Sequence, residues 1–287
     1  MLLQVNLFAF FQLHSPQPSR TFWAPFSRFF PSWIILGAVG LPIFADAAER
    51  PMMTDRPDTT ESPYTVPPGR FQIEASFLDY SQDRSAAQGS RRQWVFGQMN
   101  LKRGLTRNSD LQWVFNAHSY AGQTEGGDRS YSEGFGDVTL RLKRNFWGND
   151  SGRTAFALMP YVTFPTHTRV SEKAWAGGLI LPLAWTFPNG WTMGVMEELD
   201  FRDRAADGAG RFQTLHSATL GIALSETVGS YWELVSIAGI SQSHQMSANA
   251  GLTFQIAPNL VLDAGSRIGL TRSAPDLGVF SGFSVRF

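Results

Sequence analysis

The chain has 287 residues, 24 Lys plus Arg against 24 Asp plus Glu, and no Cys. Zero net charge excludes the basic excess that a nucleic-acid binder needs, and the missing thiols exclude disulfides, thiolate metal sites and Cys nucleophiles. Charged residues make up 17% and aromatics 13%, against about 25% charged in a typical soluble domain, yet a mean hydropathy of −0.15 is too polar for a bundle of membrane helices.

The first element in chain order is a targeting segment. The apolar run from Trp33 to Ala45 has the length of a signal-peptide core, and Ala45-Asp46-Ala47 is a small-x-small cleavage pattern. Residues 1–47 are therefore expected to be a signal peptide, with the mature chain starting at Ala48. The alternative, a single membrane anchor, is disfavoured because Gly37, Gly40 and Pro42 interrupt a run already short for spanning.

Residues 48–69 are polar and Pro-rich and cannot sustain a strand. They are expected on the periplasmic side, either as a loose tail or as a plug in which Asp55, Arg56, Asp58 and Glu61 meet charges on a lumen wall.

From there to the end, apolar residues alternate with polar or small ones at period two, in segments of about ten residues. Phe71, Ile73, Ala75 and Phe77 alternate with Gln72, Glu74 and Ser76. Leu111, Trp113, Phe115 and Ala117 alternate with Gln112, Asn116 and His118; Val138, Leu140 and Leu142 alternate with Thr139, Arg141 and Lys143. Twelve segments are predicted: 70–80, 91–102, 111–120, 134–146, 153–164, 174–186, 191–202, 212–224, 231–240, 247–256, 260–270 and 278–287. Every second connection is short, and those between are longer on the whole, the longest being 121–133.

The sixth segment gives a geometric test. Trp175, Gly177, Leu179, Leu181, Leu183 and Trp185 share one face. At about 3.3 Å per residue and a tilt near 40°, the two Trp lie roughly 25 Å apart along a membrane normal, the height of an apolar band between aromatic girdles. The opposite face is mostly small. Pro160 and Pro182 are expected to sit in bulges, since a closed barrel has no edge to hide a missing N–H.

These features predict an all-β fold: a transmembrane antiparallel up-and-down β-barrel of about twelve strands over residues 70–287, in the outer membrane of a Gram-negative bacterium, with the short turns periplasmic. A soluble β-sandwich is the alternative, but it needs neither a signal peptide nor an apolar face on every strand. The final segment ends in an aromatic at the tip of an amphipathic strand and resembles the C-terminal assembly signal of bacterial outer-membrane proteins, a resemblance that implies Phe287 addresses the barrel-assembly machinery. The remaining expected partners are outer-membrane lipids and a small-molecule solute, with no nucleic acid.

Alternation also assigns inward side chains. Glu74, Gln98, Asn116, Arg141, Lys143, Glu198, Asp200, Asp263, Arg267 and Arg286 are expected in the lumen. A barrel of about twelve strands leaves a narrow or plugged bore. There these charges either satisfy one another or form a mixed-charge constriction selecting small solutes.

The block Thr54-Asp-Arg-Pro-Asp-Thr-Thr-Glu-Ser-Pro63, with Val66-Pro-Pro-Gly69, Gln72-Ile-Glu74, Gly134-Phe-Gly-Asp137 and Pro160-Tyr-Val-Thr-Phe-Pro-Thr166, resembles the outer-membrane transporter family named after the meta-cleavage pathway of phenol degradation. Thr59 stands where that block usually carries an aromatic. The resemblance implies an outer-membrane barrel passing small, hydrophobic or aromatic compounds.

An enzyme acting on lipids is the competing class. His118 and His216 lie beside Ser119 and Ser217, but neighbours on a strand face opposite ways and cannot form a nucleophile–base couple. His14, His167 and His244 fall in the signal or in loops. No spacing suggests a metal site or a cofactor cradle, so no catalytic residue, metal or cofactor is expected. A purely structural barrel would need longer outer loops.

Overall fold

The computed structural model describes residues 50–84, 89–203, 211–240 and 243–287; the expected signal peptide and its cleavage site lie outside the described residues. Among the described residues, thirteen strands follow in chain order. They are β1 (Phe71–Asp83), β2 (Ser90–Thr106), β3 (Ser109–Glu125), β4 (Asp128–Gly134), β5 (Val138–Trp147), β6 (Thr154–Phe164) and β7 (Ala176–Thr186), then β8 (Thr192–Arg202), β9 (Arg211–Ala223), β10 (Val228–Gly239), β11 (Gln245–Ala257), β12 (Leu260–Gly269) and β13 (Leu277–Arg286).

All pairings are antiparallel, and β1 joins both β2 and β13, so the sheet closes on itself. The closing seam is tied at its end by Phe71 and Phe287, which exchange backbone hydrogen bonds of 2.9 and 3.0 Å. Their rings stack with centroids 6.2 Å apart.

The predicted loop 121–133 is the main departure. β3 continues to Glu125, turns at Gly126-Gly127 and returns as β4. Both glycines have positive φ, 58° and 97°, a conformation that suits a tight hairpin and that β-carbons resist. β4 pairs only with the far half of β3, while β5 pairs with the near half. The two are therefore successive pieces of one stave, broken at Phe135-Gly136-Asp137, and the barrel wall keeps twelve staves.

Pro160 and Pro182 also behave differently from expectation. Each ladder that loses a donor shows a gap, between Arg141/Tyr161 and Arg144/Leu158 in β5–β6 and between Phe156/Leu183 and Met159/Ile180 in β6–β7. The register is the same on both sides of each gap, so no bulge forms there. Removing an N–H deletes a hydrogen bond without adding a residue.

One phase of the alternation slips. Gly97, at φ 62°, and its neighbour Ala117 separate the inward pair Gln98/Asn116 from the pair Val95/Ser119. Beyond that point Ser119 is buried and His118 turns outward, opposite to the face that strict alternation assigns it.

Elsewhere the faces are clear. Phe77, Leu142, Phe201, Trp232, Leu252, Ile256 and Ile268 are exposed on the outside, and Gln72, Glu74, Asn100, Gln112, Thr139 and Asn249 are buried inside. Trp175 is exposed at one end of β7, where Phe164 meets it edge-on at 5.0 Å. An apolar exterior around a polar interior reverses the soluble pattern, as a lipid environment demands.

Candidate functional site

The site is the barrel interior at the short-turn end, together with the segment before β1. Pro51, Pro57, Pro63, Pro67 and Pro68 deprive this segment of ladder donors. Its polar groups must be satisfied by side chains instead, and the wall supplies them.

The segment starts at the short-turn rim, where Arg50 donates to the Arg107 carbonyl at 3.1 Å and lies 3.5 Å from Asp150. It runs inward and then returns to the same rim. Thr65 N donates to Asn149 at 3.0 Å, Val66 N to Asp110 at 2.9 Å, and Gly69 N to the Gly104 carbonyl at 3.0 Å. Between these ends its contacts reach almost every side of the bore.

Asp55 is held by Lys102 and by Lys143, whose Nζ reaches both carboxylate oxygens at 2.9 and 3.1 Å. Lys102 also pairs with Glu74. Glu74 accepts the Asp55 and Arg56 backbone N–H groups at 3.1 Å. The Arg56 guanidinium forms a two-point fork on Asp263 at 3.0 and 2.7 Å. Gly282 makes room for that fork, since a β-carbon there would collide with the Arg56 guanidinium.

Further in, Glu233 accepts from Thr59 N (3.0 Å), Thr60 N (2.7 Å), the Thr60 hydroxyl (2.7 Å) and Asn249 (2.7 Å). The Thr60 hydroxyl also lies 2.8 Å from that of Ser217. Arg141 Nη1 meets Glu61 at 2.5 Å, and the Glu61 N–H points at Met196 Sδ. Asn145 caps the Pro63 carbonyl at 2.9 Å. These pairs are almost wholly withdrawn from solvent, the Arg141 and Glu61 side chains being 0% and 1% exposed.

Of the residues expected to face the lumen, Glu74, Arg141, Lys143 and Asp263 lie directly against the segment. Arg286 donates to the Arg50 carbonyl at 2.9 Å, at the rim. Glu198 and Asp200 share the Tyr161 hydroxyl on the wall at 2.8 and 3.0 Å, with Arg202 on Asp200 at 3.0 Å. Arg267 pairs with Asp79 and does not reach the segment. Asp55, Arg56 and Glu61 each meet a wall charge of opposite sign, whereas Asp58 lies within electrostatic reach of a like charge, Glu233.

Sequence reasoning passed over Lys102, Asp110, Tyr161 and Glu233. Lys102 and Glu233 carried a usable signal, because Gln98-Asn100-Lys102 and Tyr231-Glu233-Val235 continue period-two faces. Ser217 points in and His216 out, where it pairs with Glu197.

The like-signed pair makes docking depend on pH. Burial and the Glu233 carboxylate raise the Asp58 carboxyl well above the ordinary carboxylate value. Burial works against the Asp55 charge too, but Lys102 and Lys143 outweigh it and hold that carboxyl well below the ordinary value. Asp55 therefore favours docking above the ordinary value, and its contribution is lost as pH falls through the depressed one. Asp58 has the opposite sign: docking weakens as pH rises from the ordinary value through the raised one. Asp58→Asn is expected to abolish that high-pH loosening, measured as the labelling rate of a single Cys introduced at Thr59.

A closed antiparallel barrel of twelve staves, apolar outside and charge-paired inside, is a transmembrane β-barrel of the outer-membrane class. Residues 54–287 match the family described as "Putative MetA-pathway of phenol degradation", and the chain belongs to that family. A search of curated protein sequences finds no match.

Among solved structures, the chain is similar to the NanC porin, with a TM-score of 0.50 and 8% identity over 75% of this chain and 98% of that one. It is also similar to the translocator domain of autotransporter NalP from Neisseria meningitidis (TM-score 0.49, 12% identity, 77% and 90% covered). A third similar structure is the Ralstonia pickettii toluene transporter TbuX (TM-score 0.43, 8% identity, 77% and 90% covered). At such identities the likeness to NanC is one of fold.

Proposed function

We propose that the protein is an outer-membrane channel for small solutes of hydrophobic or aromatic character, and that residues 50–68 close its bore at the periplasmic mouth. The observation that carries this reading is the segment itself, which enters and leaves by one rim and is locked to the wall through Asp55, Arg56 and Glu61. A wall built only for rigidity needs no separate chain segment to neutralise it. Family membership supports the solute class, since the family's description refers to phenol degradation. In this reading the chain is exported with a cleaved signal, and Phe287 serves barrel assembly in the lipid bilayer.

Catalysis is the weaker reading. His118 and His216 face outward while Ser119 and Ser217 face inward, so neither couple can work as nucleophile and base. Ser236 and His244 lie 2.9 Å apart, but on the outer wall, away from the bore.

Solute flux into liposomes holding the full chain tests the channel. Phenolic solutes are expected to enter faster than sugars of similar size, and both faster than into empty liposomes. Entry no faster than into empty liposomes, for every solute tried, refutes transport.

A further inference from the structure

Among the described residues, the outer wall carries a polar cluster on β8–β10 that neither the bore nor its closing segment uses. On β8 and β9 the outward positions pair as Met193/Leu220, Val195/Ala218, Glu197/His216, Leu199/Thr214 and Phe201/Phe212. The row is apolar at both ends and charged at its centre. The Glu197 carboxylate meets His216 Nδ1, with side chains 35% and 52% exposed. The row extends onto β10 through Ser236, the register partner of His216. Thr214 lies 3.2 Å from His216 Nε2, and His244 lies 2.9 Å from Ser236.

Depth makes this row anomalous. Glu197 pairs with Leu181, close to midway between Trp175 and Trp185, whose spacing matches the height of the apolar band. An ionisable pair at mid-band on a lipid-facing wall is costly, and such residues normally face protein or a wet cavity. Glu197 and His216 point away from the bore, where a second protein surface would shield them from lipid.

We propose that this face of β8–β10 is the contact through which two copies of the chain associate side by side in the membrane. The charge pattern selects a second copy as the occupant. A two-fold axis along the membrane normal between β8 and β9 brings Glu197 of each copy opposite His216 of the other, because an isologous contact pairs a patch with itself. Each carboxylate then gains a second imidazole and each imidazole a second carboxylate, with Ser236 and Thr214 at the margin. Ala218, beside the axis, is small enough for the two walls to approach closely.

The natural chain lacks Cys, so a single introduced Cys reports proximity cleanly. The full chain in membranes is oxidised with Ala218→Cys on this face or with Ala264→Cys on the distant outer face of β12. A disulfide-linked dimer is expected for Ala218→Cys and not for Ala264→Cys. Adding Glu197→Leu and His216→Leu, which suit a lipid-facing wall and leave the bore untouched, is expected to lower the Ala218→Cys dimer yield by tenfold or more. Heat-modifiable gel mobility verifies that each barrel is folded. Equal yields from the two Cys positions, or a yield unchanged by the Leu pair, overturn the proposal. So does a single-copy mass by light scattering of the detergent-extracted wild type.

Discussion

Arg56→Met is expected to undock the segment before β1. The substitution leaves the Asp263 carboxylate, 1% exposed in the side chain, without the guanidinium that neutralises it. Removing one partner of a buried ion pair costs about 3–5 kcal/mol, because the survivor remains charged in a place water reaches poorly. That corresponds to a fall of more than about a hundredfold in the docked-to-released ratio. The readout is labelling of a Cys at position 59, which is slow while Thr59 sits against Glu233.

The paired replacement Arg56→Met with Asp263→Leu removes both charges and is expected to recover most of the docking, since an apolar pair of similar volume replaces the salt bridge without a stranded ion. Gly282→Ala approaches the same contact from the wall and is expected to loosen docking too, because its methyl group would overlap both the guanidinium and the Ala75 carbonyl of the β1–β13 seam. Labelling as slow in Arg56→Met as in the parent would show that the fork does not hold the segment.

Deleting residues 50–66 is the second large effect. Among the described residues, Lys143 then loses the carboxylate that receives its ammonium, Arg141 loses its hydrogen-bond acceptor, and Glu233 loses three of its four donors. Such groups are tolerable only if water enters. In planar bilayers the deleted chain is expected to give long-lived open-channel currents where the full chain is nearly silent. Asp55→Asn together with Glu61→Gln, which keep the segment but remove two of its anchors, are expected to give brief openings between those limits. Identical conductance for the full and deleted chains would remove the closing role while leaving the barrel fold intact.

Much of the fold was legible from local sequence. Period two requires only that each residue take one of two sides, and each side is announced by its own chemistry: Leu142 outside, Arg141 and Lys143 inside. Local rules failed where backbone geometry intervened. Gly97 let the strand change phase so that His118 turned outward, and Gly126-Gly127 converted a loop into the β3–β4 hairpin. At Pro160 and Pro182 an absent donor produced gaps in place of the expected bulges, since a missing hydrogen bond need not shift the register.

The sequence by itself determined the strand rhythm, the even number of staves and the inward side of Glu74, Arg141, Lys143 and Asp263. Which charges meet was decided only by the tertiary structure. Arg56 and Asp263 are separated by 207 residues and Thr59 and Glu233 by 174, and closure of the sheet is what brings β1 beside β13 and both around the segment. Alternation is a property of one residue and its neighbours, whereas an ion pair depends on the shear and closure of the whole barrel. For that reason Glu198, Asp200 and Arg267, indistinguishable from Arg141 and Lys143 in the sequence pattern, found partners on the wall instead of on the segment.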